Sequence, residues 1–312
     1  YTEGGFPKGV VNLVTCSRVE ADILLTDERV KAVTFVGTTG VGKQVYSKAA
    51  AHGKRVQAQC EAKNHALVLE DCNLEATVNA IINSTYGCAG MRCMALPVVC
   101  VQDSIADEFV SLLKKKAEAM KLGCAYDEAT DLGPVVNAGH KEKICNWIQK
   151  GIDEGAEIVL DGRNAVVPGY ENGFFVGPTI LDHVTPEMTV GNREIFGPVT
   201  CIKRVKDYEE GIAVMNANPF ANGSCIFTQS GYYSRKFAME TDGGMVGINV
   251  GIPVPTAYFP FSGNKDSFFG DLHVLGKDGY RFFTRAKTVT THWFDEAAGK
   301  RKVGTWEGST EA

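Results

Sequence analysis

The stretch GCAGMRCMAL, residues 87–96, sets two cysteines five residues apart, with an arginine directly before the second. No histidine lies within twenty residues on either side. Cys93 can be read as a nucleophile, as a metal ligand or as an ordinary buried thiol. The metal reading finds little support, because the ten cysteines include no C-x-x-C pair and the six histidines are scattered. No metal is expected. Arg92 could lower the thiol pKa, pair with a substrate carboxylate, or form a structural salt bridge.

A second candidate is GTTGVGKQ, residues 37–44, which follows the apolar run AVTFV and opens a helical period. It matches the phosphate-binding pattern G-x-x-x-x-G-K-[ST] except at the end, where Gln44 lacks the hydroxyl that would hold Mg²⁺. The glycines run G-x-x-G-x-G, which is not the usual dinucleotide fingerprint. A strand, a glycine turn and a helix N-terminus still offer N–H groups to an anion. By itself this loop is either a pyrophosphate cradle or a plain turn.

The elements that must carry these residues alternate along the chain. Residues 9–14, 32–36, 55–60, 66–69 and 97–101 read as strands. Residues 42–52 and 74–85 read as helices, as does the amphipathic stretch 105–120 with Ser104 as its N-cap. Helices at 141–154, 208–216 and 233–241 are interleaved with strands at 157–160, 199–205, 224–228 and 245–250. Such alternation predicts an α/β protein with parallel sheets. The Pro- and Gly-rich residues 251–263 must form a loop.

A length of 312 residues suits two domains, and a net charge of −5 argues against nucleic-acid or anionic-membrane partners. No apolar run approaches the roughly 18 residues of a membrane span. The basic run Lys114-Lys115-Lys116 reads as a solvated helix face. The chain starts without Met or a leader-like segment, and is expected to be the later part of something longer.

FVGTTGVG, QCEAK, GMRC, EIFGPV and FPFSG resemble, in order, signature blocks of the NAD(P)-dependent aldehyde dehydrogenase superfamily. AKNHALVLEDC, RCMAL, MVGINVGIPVP and KTVTTHW are similar to its CoA-acylating, methylmalonate-semialdehyde dehydrogenase branch. The resemblance implies an aldehyde dehydrogenase-like α/β fold. Residues 1–62 would be part of a Rossmann-type NAD-binding domain, 63–270 a catalytic domain with a parallel sheet, and 271–312 a return segment with an oligomerisation strand. It implies that Cys93 is the nucleophile and Cys88 a bystander. Gly37, Thr38, Gly42, Glu194 and Phe196 would hold the cofactor, NAD, with Glu194 on the nicotinamide ribose. Phe261 and Ser262 would line the aldehyde channel.

Hydrolytic relatives carry a glutamate base where Gln59 stands. Glutamine cannot accept a proton at neutral pH, so water would be a poor nucleophile toward a Cys93 thioester, whereas a thiol would not. The expected reaction is therefore oxidation of malonate or methylmalonate semialdehyde, loss of CO₂ and transfer to coenzyme A. That is a step of valine catabolism, placed in the mitochondrial matrix of a eukaryote or the cytoplasm otherwise. Glu61 is a departure from the branch: it could act as a displaced base, be partly solvated, or pair with Lys63. Alternatives are a hydrolytic enzyme with a non-standard base, and an inactive fragment or scaffold. The family's oxyanion asparagine and ribose lysine would lie upstream of residue 1, so this chain is expected to have little activity. KTVTTHW resembles an intersubunit strand, which implies a homodimer or tetramer of the intact protein.

Overall fold

The computed structural model describes residues 1–293. Two short helices, α1 (Arg18–Ala21) and α2 (Ile23–Thr26), precede β1 (Ala32–Val36), α3 (Thr39–Ala51) and β2 (Arg55–Gln59). Then come β3 (His65–Val68), α4 (Leu74–Tyr86), β4 (Val98–Gln102), α5 (Asp103–Glu118), α6 (Ala138–Asp153), β5 (Glu157–Leu160), β6 (Thr179–Asp182) and β7 (Val199–Val205). The chain continues through α7 (Tyr208–Asn216), β8 (Phe220–Ala221), β9 (Gly223–Phe227), α8 (Gly231–Glu240) and β10 (Met245–Ile248). It ends with β11 (Asn264–Lys265), β12 (Phe268–Phe269) and α9 (Gly276–Phe283).

A seven-stranded sheet runs in the order β10-β9-β3-β4-β7-β6-β5 and is parallel except at the β5 edge. Its central strands bury both faces: every residue of β3 and β9 is buried, as are Val98 to Val101 of β4. Short β-branched and apolar runs produce this arrangement when helices cover the two sides. The α5 helix shows how. Ala106, Phe109, Val110, Leu113 and Ala117 recur at helical spacing and are buried, while Lys115 is exposed and Lys116, part-buried, pairs with Glu75 of α4 at 2.5 Å. Its start differs from the expectation. The helix begins at Asp103, and the Ser104 hydroxyl donates to Glu70 Oε2 at 2.7 Å and caps nothing.

A smaller sheet has the order β1-β2-β12, with β12 antiparallel to β2 and Phe268 opposite Gln59. The chain therefore returns to the first sheet before the boundary drawn at residue 270. Residues 9–14 form no strand; Val10, Val11, Leu13 and Val14 are exposed, and among the described residues no strand pairs with them. Residues 251–263 are irregular, as expected. Among the described residues no helix is long and apolar enough to cross a membrane.

Candidate active site

The site lies where two sheets meet end to end. The carboxyl ends of β1 and β2 supply Gly37, Thr38 and Gln59. The amino ends of four adjacent parallel strands supply the rest: Asn222 just before β9, Asn64 just before β3, Cys93 in the run into β4, and Glu194 in the run into β7.

The Cys93 segment leaves α4 through a tight turn at Gly87–Gly90, where Cys88, Ala89 and Gly90 all have left-handed backbone, with φ of 54°, 54° and 67°. A Cβ on Gly90 would stand 2.2 Å from the carbonyl oxygen of Gly197, so only glycine permits this approach. GMRC and EIFGPV are thus pressed backbone to backbone. The Arg92 Nη2 donates to the carbonyls of Asn83 and, at 3.1 Å, Ser84. A cation on the last carbonyls of α4 satisfies the helix end. Among the described residues no carboxylate forms a salt bridge with it.

The Cys93 carbonyl accepts two amide donors, Asn64 Nδ2 at 2.9 Å and Asn222 Nδ2 at 3.1 Å. Asn222 Oδ1 in turn accepts from Gln59 Nε2 at 2.7 Å. Burial pushes the Cys93 thiol above its ordinary pKa and Glu194 adds to the rise, while the Cys93 and Met94 N–H groups and Arg92 pull it down. Cys88 is exposed.

On the cofactor side, burial raises the Glu194 carboxyl to about 7, and the nearby Glu61 charge adds to the rise, although the Ala62 N–H donates to it at 3.1 Å. Phe196 has φ of 60°, an uncommon value for a non-glycine residue. Its carbonyl accepts from His140 Nε2 at 2.7 Å, and its ring is 37% exposed. Gly37 and Thr38 are exposed at the head of α3, and the Thr38 hydroxyl makes no cap bond. Gly42 is buried, and a Cβ there would meet Cys60 Sγ at 2.3 Å, so its lack of a side chain serves helix–strand packing. Glu61 does not pair with Lys63; its Oε2 accepts from the Thr39 N–H at 2.9 Å, at the N-terminus of α3. A cavity of about 820 Å³ opens beside α3, walled by Leu24, Leu25, Val41 and Val45 with Arg18 and Asp22 at its rim.

Phe261 and Ser262 are half-buried, and the Phe261 N–H donates to Val274 at 2.7 Å. The next residue, Gly263, packs over the amide pair: a Cβ there would meet Gln59 Nε2 at 2.9 Å and Asn222 Oδ1 at 3.1 Å.

Asn64 and Asn222 were not singled out from sequence, although both stand directly before a fully buried apolar strand. A carboxamide at that boundary has backbone groups within reach and no solvent to satisfy it.

The aldehyde dehydrogenase family model matches residues 1–289. Malonate-semialdehyde dehydrogenase 1 of Oceanobacillus iheyensis is 47% identical over 294 residues, covering 94% of this chain and 60% of that protein. The malonate-semialdehyde dehydrogenase of Pseudomonas aeruginosa is 45% identical over 299 residues, covering 96% and 60%. The chain thus spans about 60% of the length of these relatives. Among solved structures, methylmalonate-semialdehyde dehydrogenase from Oceanimonas doudoroffii superposes with a TM-score of 0.92 at 44% identity, covering 96% of this chain and 62% of that one. A putative methylmalonate-semialdehyde dehydrogenase from Sinorhizobium meliloti, complexed with NAD, gives 0.92 at 41% identity, covering 94% and 60%.

Proposed function

The chain belongs to the aldehyde dehydrogenase family, and on that premise we propose that it serves NAD-dependent oxidation of malonate or methylmalonate semialdehyde through a Cys93 thioester, with transfer to coenzyme A. The names of relatives 45–47% identical to it support the substrate class. One observation carries the choice of acyl acceptor. Where a base would activate water stands Gln59, whose Nε2 is committed to Asn222 and whose amide cannot take a proton. Glu61, two residues on, is occupied by the Thr39 N–H.

The residues divide the work as follows. Cys93 adds as thiolate to the aldehyde carbon, giving a thiohemiacetal. NAD, when bound, would supply the hydride acceptor needed to take the adduct to a thioester. Glu194 suits the ribose diol, since an ionised carboxylate accepts from two hydroxyls. Thr38 and Gly37 would hold the pyrophosphate, and the apolar walls of the cavity beside α3 suit an adenine ring. Loss of CO₂ from the β-carboxylate leaves an enolate that the thioester carbonyl delocalises and that takes up a proton. The coenzyme A thiolate then attacks the thioester and Cys93 leaves as thiolate. Residues 287–293 are exposed and lie outside the sheets of the described residues, which supports pairing with a second copy in a homo-oligomer.

The test is a single turnover with NAD and malonate semialdehyde, followed by mass spectrometry of the Cys93 peptide. An acyl adduct that persists in buffer and is discharged by coenzyme A as acetyl-CoA is expected. Discharge to free acid at the same rate without coenzyme A would show a hydrolytic enzyme, and absence of any adduct would leave a non-catalytic scaffold.

A further inference from the structure

The Gln59–Asn222–Cys93 chain of hydrogen bonds has a direction. A backbone carbonyl only accepts, so Asn222 must present Nδ2 to Cys93, and this turns its Oδ1 toward Gln59. Gln59 must then meet that oxygen with N–H. The Ser267 carbonyl, 3.4 Å from the same Nε2, makes the same demand. Asn64 is fixed independently: the Gly223 N–H donates to its Oδ1 at 2.9 Å, which leaves its Nδ2 for the carbonyls of Cys93 and of Ala95, at 2.8 Å. Two carboxamides oriented by backbone groups converge on one carbonyl. Gln59 is held through its nitrogen even though its buried Oε1 has no hydrogen-bond partner.

We infer that Asn222, with Asn64, is a positioning residue that fixes the Cys93–Met94 peptide beneath the nucleophile, and that this chain requires an amide at position 59.

The argument is one of polarity in a dry place. Gln59 is 3% exposed and Asn222 is 1% exposed, and Gly263 closes over both. A glutamate at 59 would set acceptor oxygens against Asn222 Oδ1 and the Ser267 carbonyl. It would have to stay protonated, or Asn222 would have to flip and turn its oxygen onto the Cys93 carbonyl. Neither outcome yields an ionised base beside a correctly held nucleophile. The peptide also matters chemically, because its Met94 N–H is one of the groups that favour the Cys93 thiolate. Gln59 is thus a structural requirement of the nucleophile loop as well as a missing base.

This inference rests on Cys93 being the nucleophile, so the experiment separates the two. Iodoacetamide labelling of the full chain from pH 6 to 10 is followed by peptide mass at each cysteine. The proteins compared are the parent, Asn222→Leu, Gln59→Met, Gln59→Glu and Gln59→Glu/Asn222→Leu. Buried Cys100 serves as the reporter of unfolding. Loss of one hydrogen bond to the carbonyl is expected to lower Cys93 labelling at pH 8 by roughly threefold to tenfold in Asn222→Leu and to move its profile to higher pH. Gln59→Glu is expected to lose more than Gln59→Met, and to lose no more than Asn222→Leu once Asn222 is gone. An unmoved Cys93 profile in a folded Asn222→Leu protein overturns the positioning role. Equal labelling of Gln59→Glu and Gln59→Met overturns the polarity argument, and this comparison stands even if Asn222→Leu fails to fold. Labelling of Cys93 no faster than Cys100 in the parent removes the nucleophile reading, and the inference with it.

Discussion

Gly90 and Gly197 touch through their backbones, so closely that a methyl group on Gly90 would stand 2.2 Å from the Gly197 carbonyl oxygen. The loop carrying Cys93 and the loop carrying Glu194 and Phe196 are therefore one packed unit. Gly90→Ala must accept a left-handed φ of 67° and push the two loops apart. A loss of at least about 2 kcal/mol in urea unfolding is expected, together with slower Cys93 labelling. A loss below about 0.5 kcal/mol would show that the loops move freely.

With Glu194 on the cofactor ribose, as proposed, cofactor binding is expected to depend on pH. Burial raises its carboxyl to about 7, so it is largely protonated at pH 6 and largely ionised at pH 8. Ribose hydroxyls donate to the ionised form. NAD affinity measured by calorimetry is expected to rise from pH 6 to pH 8, and Glu194→Gln is expected to flatten the curve.

The same shift acts on stability with the opposite sign. A carboxyl raised in the folded state stabilises the fold below its unfolded pKa of about 4.5, and that contribution is lost as pH rises through about 7. Glu194→Gln should therefore be more stable than the parent at pH 8, by about 1–3 kcal/mol in denaturant melts, and equal to it at pH 4.

Glu61 closes the N-terminus of α3 from outside the helix. Glu61→Ala should lose about 1 kcal/mol of stability, as for other lost N-caps. It should leave the lifetime of the Cys93 acyl adduct in buffer unchanged. A longer-lived adduct would show that Glu61 activates water after all.

Arg92 lies beside Cys93 in sequence, and its Nη2 is bonded to the end of α4. Arg92→Met should destabilise the protein by about 0.5–1.5 kcal/mol, since the exposed Asn83 and part-buried Ser84 carbonyls of the last helical turn lose their donor. The preference for malonate semialdehyde over an uncharged aldehyde, measured as the ratio of Cys93 adduct formation rates, should not change. A large fall in that ratio would return Arg92 to the substrate.

What the sequence makes legible follows from what side chains do locally. HALV and VVCV announce strands buried on both faces, and AVTFV a strand that stays part-exposed, because β-branched and apolar runs of that length favour a sheet. GVVNLV has the same composition and forms no strand, since a run becomes a strand only beside a neighbour, and none among the described residues pairs with it. TILD in β6 hides for the reverse reason. Its Asp182 reads as solvent-facing but is buried against Arg204 at 2.9 Å, and nothing local to either residue announces that pairing. The site divides in the same way. Cys93, Gln59 and Glu194 are carried by blocks of residues next to one another. Asn64 and Asn222 act only through contacts made across β3 and β9.

The return of β12 to β2 has a consequence in time. Gln59 and Ser267, which meet there, are separated by 208 residues. A ribosome adding about 5–20 residues per second needs roughly 10–40 s to supply the second after the first. For that interval the β1–β2 sheet has an open β2 edge, and Gln59 has Asn222 as a partner but not the Ser267 carbonyl. The last support of Gln59 is therefore set in place late, and a nascent chain stalled before residue 267 would hold Gln59 by Asn222 alone.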